Sequence, residues 1–312
     1  MEIFSSIEKL DPVKESILTV GSYDGIHRGH QKLLSHLVEK SKVYGIPSVL
    51  VTFDPHPRHI LNKKTDGLPL LMSLDQKLNI VESLGINIVY IIDFDFHFSK
   101  ISAQDFMMKI IVPYFNPKIM MIGTNHHFGK NREGSPSFLK NFGEKNHIDI
   151  IVVKPVLDNQ SQISSSKIRE FLLLGHIRRA NYELGTYFTF FGIVVHGSGR
   201  GKKLTFQTAN VKPIEKNQLF PKKGVYLVRG RNIALNSFGM CNIGVRPTFG
   251  ENKLVMEIHF FHDKMLNLYG ERIKIEFLER IRDEKKFPSS KELVKQLKND
   301  KQTCLDLSGK YK

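Results

Sequence analysis

Two histidines three residues apart, His27 and His30, open the helix predicted after the first strand of ILTVGSYDGIHRGHQKLL, residues 17–34. Ile17, Leu18 and Val20 form a short apolar run of the kind buried in a parallel sheet. Gly21 and Gly25 admit a tight turn and let a ligand approach the backbone. The helix after the turn presents free N–H groups and the positive end of its dipole, which suits a phosphate. Two imidazoles at that helix start can reach the same phosphate. The combination points to chemistry at a nucleotide phosphate. The ordinary alternative for an HxxH pair is two surface or core histidines, and the strand–glycine–helix context is what favours function.

Further polar clusters follow along the chain. TFDPHPR, residues 52–58, holds His56 and Arg58 in a loop stiffened by prolines. Its plain alternative is a rigid turn with solvated charges. GTNHHFGKNREG, residues 123–134, has the glycines, Asn125 and the basic pair Lys130 and Arg132 that suit a loop over a nucleotide. Its alternative is a mobile surface loop. In ISSSKIREFL, residues 163–172, Ser164 to Ser166 can cap a helix and bond phosphate oxygens, with Lys167 and Arg169 following at the positive helix end. A well-capped amphipathic helix needs no more than this.

The stretch VVHGSGRGKKLTFQTAN, residues 194–210, is a Gly-rich basic loop suited to covering phosphates. Thr208 and Asn210 can supply oxygens to Mg²⁺. It is not a Walker A sequence. Downstream, Glu257 sits in the strand pattern MEIHF. A carboxylate there can take a proton from a hydroxyl nucleophile, although an outward-facing strand glutamate is the commoner case.

The elements that must position these groups divide into two kinds. Up to about residue 184 strand and helix signals alternate. Residues 47–53, 86–92, 118–122 and 148–153 read as strands after the first, with helical spacing over 74–84 and a capped helix start at Ser102. This βαβ rhythm predicts a doubly wound, Rossmann-like parallel sheet, with ligands beyond the carboxyl ends of the strands. A helical stretch over 164–184 closes this half. From about 185 the pattern becomes all-β, with strands over 187–195, 224–229, 237–243, 254–261 and 272–278, and a capped helix over 289–297. That predicts a small β-barrel with a C-terminal helix. The expected domains are therefore 1–184 and 185–312.

Composition sets the class. A chain of 312 residues is expected to form two domains, and its 41% hydrophobic and 25% charged residues suit a soluble globular protein. No apolar run spans a membrane, and the N-terminus has no signal-peptide core, so a cytoplasmic protein is expected. Cys241 and Cys304 lack CxxC spacing, which argues against a disulfide framework or zinc and leaves oxygen-bound Mg²⁺ as the expected metal. The net charge of +15 suits anionic partners without choosing among nucleotides, phosphorylated cofactors and nucleic acid.

The ordered set GSYDGIHRGHQ, TFDPHPR, the G-x-N loop ending FGKNREG, ISSSKIR, VVHGxxRGKKL, TAN, NIGVRPTFG and LYGERIKIEFLERIRDEKKF resembles the bacterial bifunctional riboflavin kinase/FMN adenylyltransferase (FAD synthetase) family, from about residue 17 to the C-terminus. The resemblance implies an HxGH nucleotidyltransferase domain followed by a riboflavin kinase barrel. It implies riboflavin, FMN and ATP as substrates, with Mg²⁺. His27 and His30 would hold the ATP phosphates, with His56, Asn125, Ser165 and Arg169 around ATP and FMN. Thr208 and Asn210 match the Mg·ATP positions of the kinase, and Glu257 its catalytic base. Asn242, Arg246 and Arg282 lie in stretches that border nucleotide and flavin. The expected partners are these small molecules, without membrane or nucleic acid, and a homo-oligomer is left open.

The sequence departs from the family at three places. Thr205 and Gln207 stand where the family usually has Gly and Pro, which can loosen the Mg·ATP loop. His126 replaces an aromatic residue, and Tyr23 a Phe. Thr205 and Gln207 leave one alternative standing, an FMN adenylyltransferase with an impaired kinase barrel, and the basic charge balance another, a nucleic-acid-binding regulator built on this scaffold. The pair HxGH and SSSK also resembles the two signatures of class I aminoacyl-tRNA synthetases, but the second half matches the kinase barrel instead.

Overall fold

The structure is a computed structural model that describes residues 1–61, 68–196, 206–232, 235–248, 251–261 and 268–312, with the backbone alone for 246–248 and 251–253. Two compact units divide it: Met1–Leu68 with Ser73–Ser164, and Pro69–Met72 with Ser165–Lys312.

The first unit is built on a six-stranded parallel sheet. Its strands are β1 (Glu2–Phe4), β2 (Ser16–Val20), β3 (Ser48–Asp54), β4 (Ile88–Asp93), β5 (Pro117–Gly123) and β6 (Asp149–Val153), in the order β1-β4-β3-β2-β5-β6. A two-stranded hairpin, β7 (Leu157–Asp158) and β8 (Ser161–Gln162), stands apart from it. Helices α1 (Arg28–Tyr44), α2 (Pro57–Leu61), α3 (Leu74–Ser83), α4 (Ala103–Phe106), α5 (Val112–Phe115) and α6 (Pro136–Asn146) make the crossovers. A π-helical turn, Met107–Ile111, joins α4 to α5.

β2 is buried along its whole length, as the apolar Ile17, Leu18 and Val20 predict for a central parallel strand. From β2 the chain moves outward through β3 and β4, then returns to place β5 on the other side of β2. The strand order therefore reverses between β2 and β5, where a doubly wound sheet opens a crevice at the strands' carboxyl ends. The expected doubly wound parallel sheet is present. The edge strand β1 and helix α6 carried too short or too mixed a pattern to be read from sequence.

The second unit is a closed antiparallel barrel. Its strands are β9 (Phe188–Val195), β10 (Ala209–Pro213), β11 (Gly224–Arg231), β12 (Asn236–Thr248), β13 (Glu251–Phe260) and β14 (Arg272–Arg282), in the order β10-β13-β12-β11-β14-β9 with β9 paired to β10. Alternate residues fill it: Phe188, Phe190 and Val194 from β9, Cys241 and Ile243 from β12, and Met256 and Ile258 from β13 are all buried. The barrel and its C-terminal helix match the expectation. Strand β10 was missed because it is short and carries a lysine and a proline.

Among the described residues this unit also holds the helices α7 (Ser165–Leu174), α8 (Ile177–Leu184) and α9 (Ser290–Ser308). The stretch expected as one helix over 164–184 is broken at Gly175, whose φ of +85° is left-handed. A Cβ there would lie 2.6 Å from Cδ of Arg280, so the break leaves room for that side chain. Both helices pack with the barrel, where Asn181 Nδ2 donates to Phe277 O at 2.8 Å and Lys222 N–H donates to Leu172 O at 3.0 Å. The division by packing therefore falls at Ser164/Ser165, before the 184/185 boundary expected from sequence. An all-helical stretch gives no sign of which core it will join.

Candidate functional site

At the carboxyl end of β2 the chain turns through Tyr23 and Ile26, both at positive φ, into α1. Tyr23 is buried, and its hydroxyl lies 2.5 Å from Thr19 Oγ1, which donates onward to Met121 O of β5 at 2.7 Å. The Tyr-for-Phe change thus adds a bond that ties the turn to the reversal point. Gln31 Nε2 fastens the turn from the helix side by donating to Ile26 O at 2.8 Å.

His27 is the N-cap of α1, and its Nδ1 accepts the His30 backbone N–H at 3.4 Å. The rings of His27 and His30 are stacked, with centroids 3.7 Å apart and planes 17° from parallel. Burial pushes His27 down to about 4. It pushes His30 well below its ordinary value, helped by the nearby charges of His27 and Lys77. Both imidazoles are therefore neutral at pH 7. His30 Nδ1 is buried without a hydrogen-bond partner among the described residues. A buried polar atom left so at a helix N-terminus is suited to an incoming anion's oxygen.

Asn125 follows β5, the strand beside β2, and its Nδ2 donates to Gln162 Oε1 at 3.2 Å. The reversal point thus places Asn125 and the two histidines on neighbouring strand ends. The 123–134 loop is anchored rather than loose: Lys130 N–H donates to Ile101 O, Ala103 N–H to Glu133 Oε1 at 2.6 Å, and Phe128 pairs with Gly134. His126 packs its ring 5.5 Å from that of Phe128, so an aromatic contact survives there. Burial pushes His126 down to about 4.

His56 lies beyond the end of β3, half-buried, with Nδ1 accepting the Arg58 N–H at 3.2 Å. That bond helps to start α2.

Sequence reasoning missed Lys77. Its Nζ donates to Thr52 Oγ1 of β3 at 3.2 Å, and the residue is buried at 7% exposure. Burial pushes it down to about 8 despite the opposing carboxylates of Asp24 and Asp54. Nothing local marks a lysine in α3 as buried. Asp24, also buried, was missed for the same reason.

Ser165 and Arg169 lie on α7 in the second unit. Arg169 is buried and its Nε donates to Pro69 O at 2.8 Å.

In the barrel, strand pairing sets Asn210 of β10 and Asn242 of β12 directly opposite Glu257 of β13, one on either side. Residues paired in this way project from one face of a sheet. Their sequence neighbours Val211, Cys241, Ile243, Met256 and Ile258 fill the interior, so the three polar groups share the outer face. Glu257 is thus outward-facing, as an ordinary strand glutamate would be, but half-buried between two amides. At Gly244, two residues on from Asn242, a Cβ would meet the Glu284 carboxylate at 2.4 Å. The glycine is what lets that acid come close.

Thr208 precedes β10 and is half-buried. The segment before it is held at two points: Phe206 is buried in an apolar cluster with Leu227, Met240 and Cys304 of α9, and Gln207 O accepts from His259 Nδ1 at 2.8 Å. Thr205 and the Gly-rich stretch 197–204 lie outside the described residues. The expected loosening at Gln207 is met by this tether. The hydroxyl and amide oxygens of Thr208 and Asn210 are hard donors, few in number. They fit Mg²⁺ that takes its remaining ligands from substrate phosphates and water.

Arg246 pairs with Lys253 in the β12–β13 ladder. Arg282, expected at the flavin border, forks its Nε and Nη2 onto buried Asp300 of α9, with Nη2–Oδ2 at 2.7 Å. Cys241 and Cys304 are both free and buried.

Residues 10–167 match the family described as FAD synthetase, and residues 184–308 the family described as riboflavin kinase. The chain is 33% identical over 305 residues, 96% of each chain, to a bifunctional riboflavin kinase/FMN adenylyltransferase of Buchnera aphidicola subsp. Acyrthosiphon pisum. It is 32% identical to the Escherichia coli K12 protein of the same name, covering 99% of this chain and 98% of that one. A solved Streptococcus pneumoniae structure titled macrolide-efflux protein superposes with a TM-score of 0.87 at 29% identity over 97% of both chains.

Proposed function

The chain belongs to the bifunctional riboflavin kinase/FMN adenylyltransferase family, and we propose how its residues divide the two steps of FAD synthesis. The enzyme phosphorylates riboflavin with ATP to FMN, then transfers the adenylyl group of a second ATP to FMN, releasing pyrophosphate. In our reading residues 1–184 serve adenylyl transfer and 185–312 serve phosphorylation.

For adenylyl transfer, His27 and His30 hold the ATP phosphates at the start of α1. An oxygen of the FMN phosphate attacks the α-phosphorus in line. The bond to the β-phosphate oxygen breaks, and pyrophosphate leaves with the electron pair. The nucleophile is already an anion, so no general base is needed. Positioning and electrostatics carry the rate. The observation that supports this most is the neutral, stacked histidine pair at the reversal of strand order, with His30 Nδ1 buried and unpartnered. Asn125, His56, Ser165 and Arg169 are assigned to ATP and FMN.

For phosphorylation, Glu257 takes the proton of the ribityl terminal hydroxyl as its oxygen attacks the γ-phosphorus and ADP leaves. Asn210 and Asn242 flank the carboxylate in register and orient it. Thr208 and Asn210 would hold Mg²⁺, which when bound neutralises phosphate charge. Arg246 remains assigned to the flavin border. Arg282, occupied by Asp300, is assigned instead to holding α9. The use of ATP in both steps supports a cytoplasmic location.

The test is a chromatographic product assay on purified protein with ATP and Mg²⁺, run separately with riboflavin and with FMN. FMN and then FAD from riboflavin, with FAD from FMN, is expected. FAD from FMN but no FMN from riboflavin would overturn the assignment of the kinase residues. No product from either substrate in folded protein would overturn both assignments.

A further inference from the structure

The first unit buries an ammonium group that the steps above do not use. Lys77 lies one turn into α3, whose start is fixed by a capping box between Ser73 and Gln76. A cation near a helix N-terminus opposes the helix dipole. Taking an ammonium out of water costs several kcal/mol unless it is well paired. The hydrogen bond of Lys77 goes to a neutral hydroxyl, Thr52 Oγ1, at 3.2 Å. The groups whose charge reaches it come from other elements, Asp24 in the turn after β2 and Asp54 at the end of β3, and the neutral His30 of α1 lies within reach of its own charge. Thr52 and Asp54 lie at the carboxyl end of β3, and Asp24 just beyond that of β2, so the lysine sits on the ligand side of the sheet. Its charge is felt at His30, the residue with the unpartnered buried nitrogen. A buried cation placed among these groups gains most when a polyanion binds. Lysine serves phosphate as a compact point charge.

We propose that Lys77 is a further phosphate-binding residue of the adenylyltransferase site, donating from Nζ to the triphosphate of ATP beside His27 and His30. The inference rests on the assignment of adenylyl transfer to that histidine pair. It gives the site a full positive charge, which two neutral imidazoles do not supply. That charge would stabilise the negative charge that grows on the leaving pyrophosphate.

The test uses the full-length chain. Lys77→Met and Lys77→Gln are each expected to lower kcat/KM for ATP in FMN adenylylation by about 100-fold. Riboflavin phosphorylation by the same preparations is expected to stay within about twofold, which reports that the chain is folded. A second measurement needs no variant. In the wild-type chain, kcat/KM for ATP in adenylyl transfer should fall as pH rises above about 8, where Lys77 loses its proton. Riboflavin phosphorylation should not share that limb. His30, held neutral, does not titrate in this range. Adenylyl transfer within about threefold of wild type in folded Lys77→Met, or a flat profile from pH 7.5 to 9.5, overturns the inference. If His30→Ala abolishes FAD formation in either of those cases, the inference falls alone. If the wild-type chain makes no FAD from FMN, the underlying assignment falls and this inference with it.

Discussion

His27 both caps α1, by accepting the His30 backbone N–H at 3.4 Å, and stacks its ring 3.7 Å from that of His30. The cap and the stack are made by one side chain, so helix geometry and ligand geometry are set together. His30→Ala removes the ring that carries the unpartnered nitrogen and leaves the cap. FAD formation should drop by at least about 10³-fold, with FMN formation from riboflavin nearly unchanged. Separate assays of the two products check this. A parallel loss of both activities in folded protein would defeat the idea of separate sites.

The same pair makes the first unit acid-sensitive. His27 titrates at about 4 when folded, against an ordinary value of 6.5. Below pH 6.5 the unfolded chain takes up a proton that the native histidine refuses until about pH 4. Stability is therefore constant above pH 6.5 on this account and is lost as pH falls from 6.5 to 4, by about 3 kcal/mol. Thermal melts across pH 4–8 should show that slope. His27→Gln should make it shallower, since glutamine does not titrate, and leave the part that His30 and His126 contribute.

Glu257→Ala should abolish riboflavin phosphorylation, with a loss of about 10²–10⁴-fold, and spare FAD formation from FMN. Glu257→Gln keeps the shape between Asn210 and Asn242 but cannot accept the proton, so it should be equally inactive. Activity retained in Glu257→Gln would assign the residue to orientation alone.

Arg282→Met leaves Asp300 buried at 2% exposure without its guanidinium. Breaking such a pair should destabilise the barrel unit by about 3–5 kcal/mol. Denaturant melts read this. A stable Arg282→Met chain whose defect is confined to the KM for riboflavin would restore Arg282 to the flavin border.

Gln207→Pro tests the departure from the family pattern. Because Gln207 O is already held by His259 Nδ1 and Phe206 is buried beside it, the segment has its position without proline. Kinase turnover in Gln207→Pro should stay within about threefold of wild type, while His259→Ala should lower it by about tenfold, since a loop displaced from the Mg·ATP position loses orientation. A large gain of kinase turnover in Gln207→Pro would instead mark the native barrel as impaired.

Much of the architecture was legible in local pattern. The apolar run of β2, the helical spacing of α3 and the strand pattern from 187 onward each depend on side chains near in sequence, and each element appears in the structure. The motif order pointed to the family because each motif is short and self-contained. Less legible were features set by distant partners. Gly175 breaks the expected 164–184 helix because Arg280, over a hundred residues away, needs the space.

By itself, the sequence determined which chemistry the chain carries: two imidazoles at a helix start, a strand glutamate, and the oxygens and cations suited to nucleotide phosphates. Those are properties of residue type and spacing. Tertiary structure alone decided which groups stand together. Strand register put Glu257 between two asparagines, and burial left both histidines uncharged. Packing drew Lys77 in beside Asp24 and turned Arg282 toward Asp300. Register, desolvation and long-range ion pairing depend on residues far apart in the chain, and no local pattern records them.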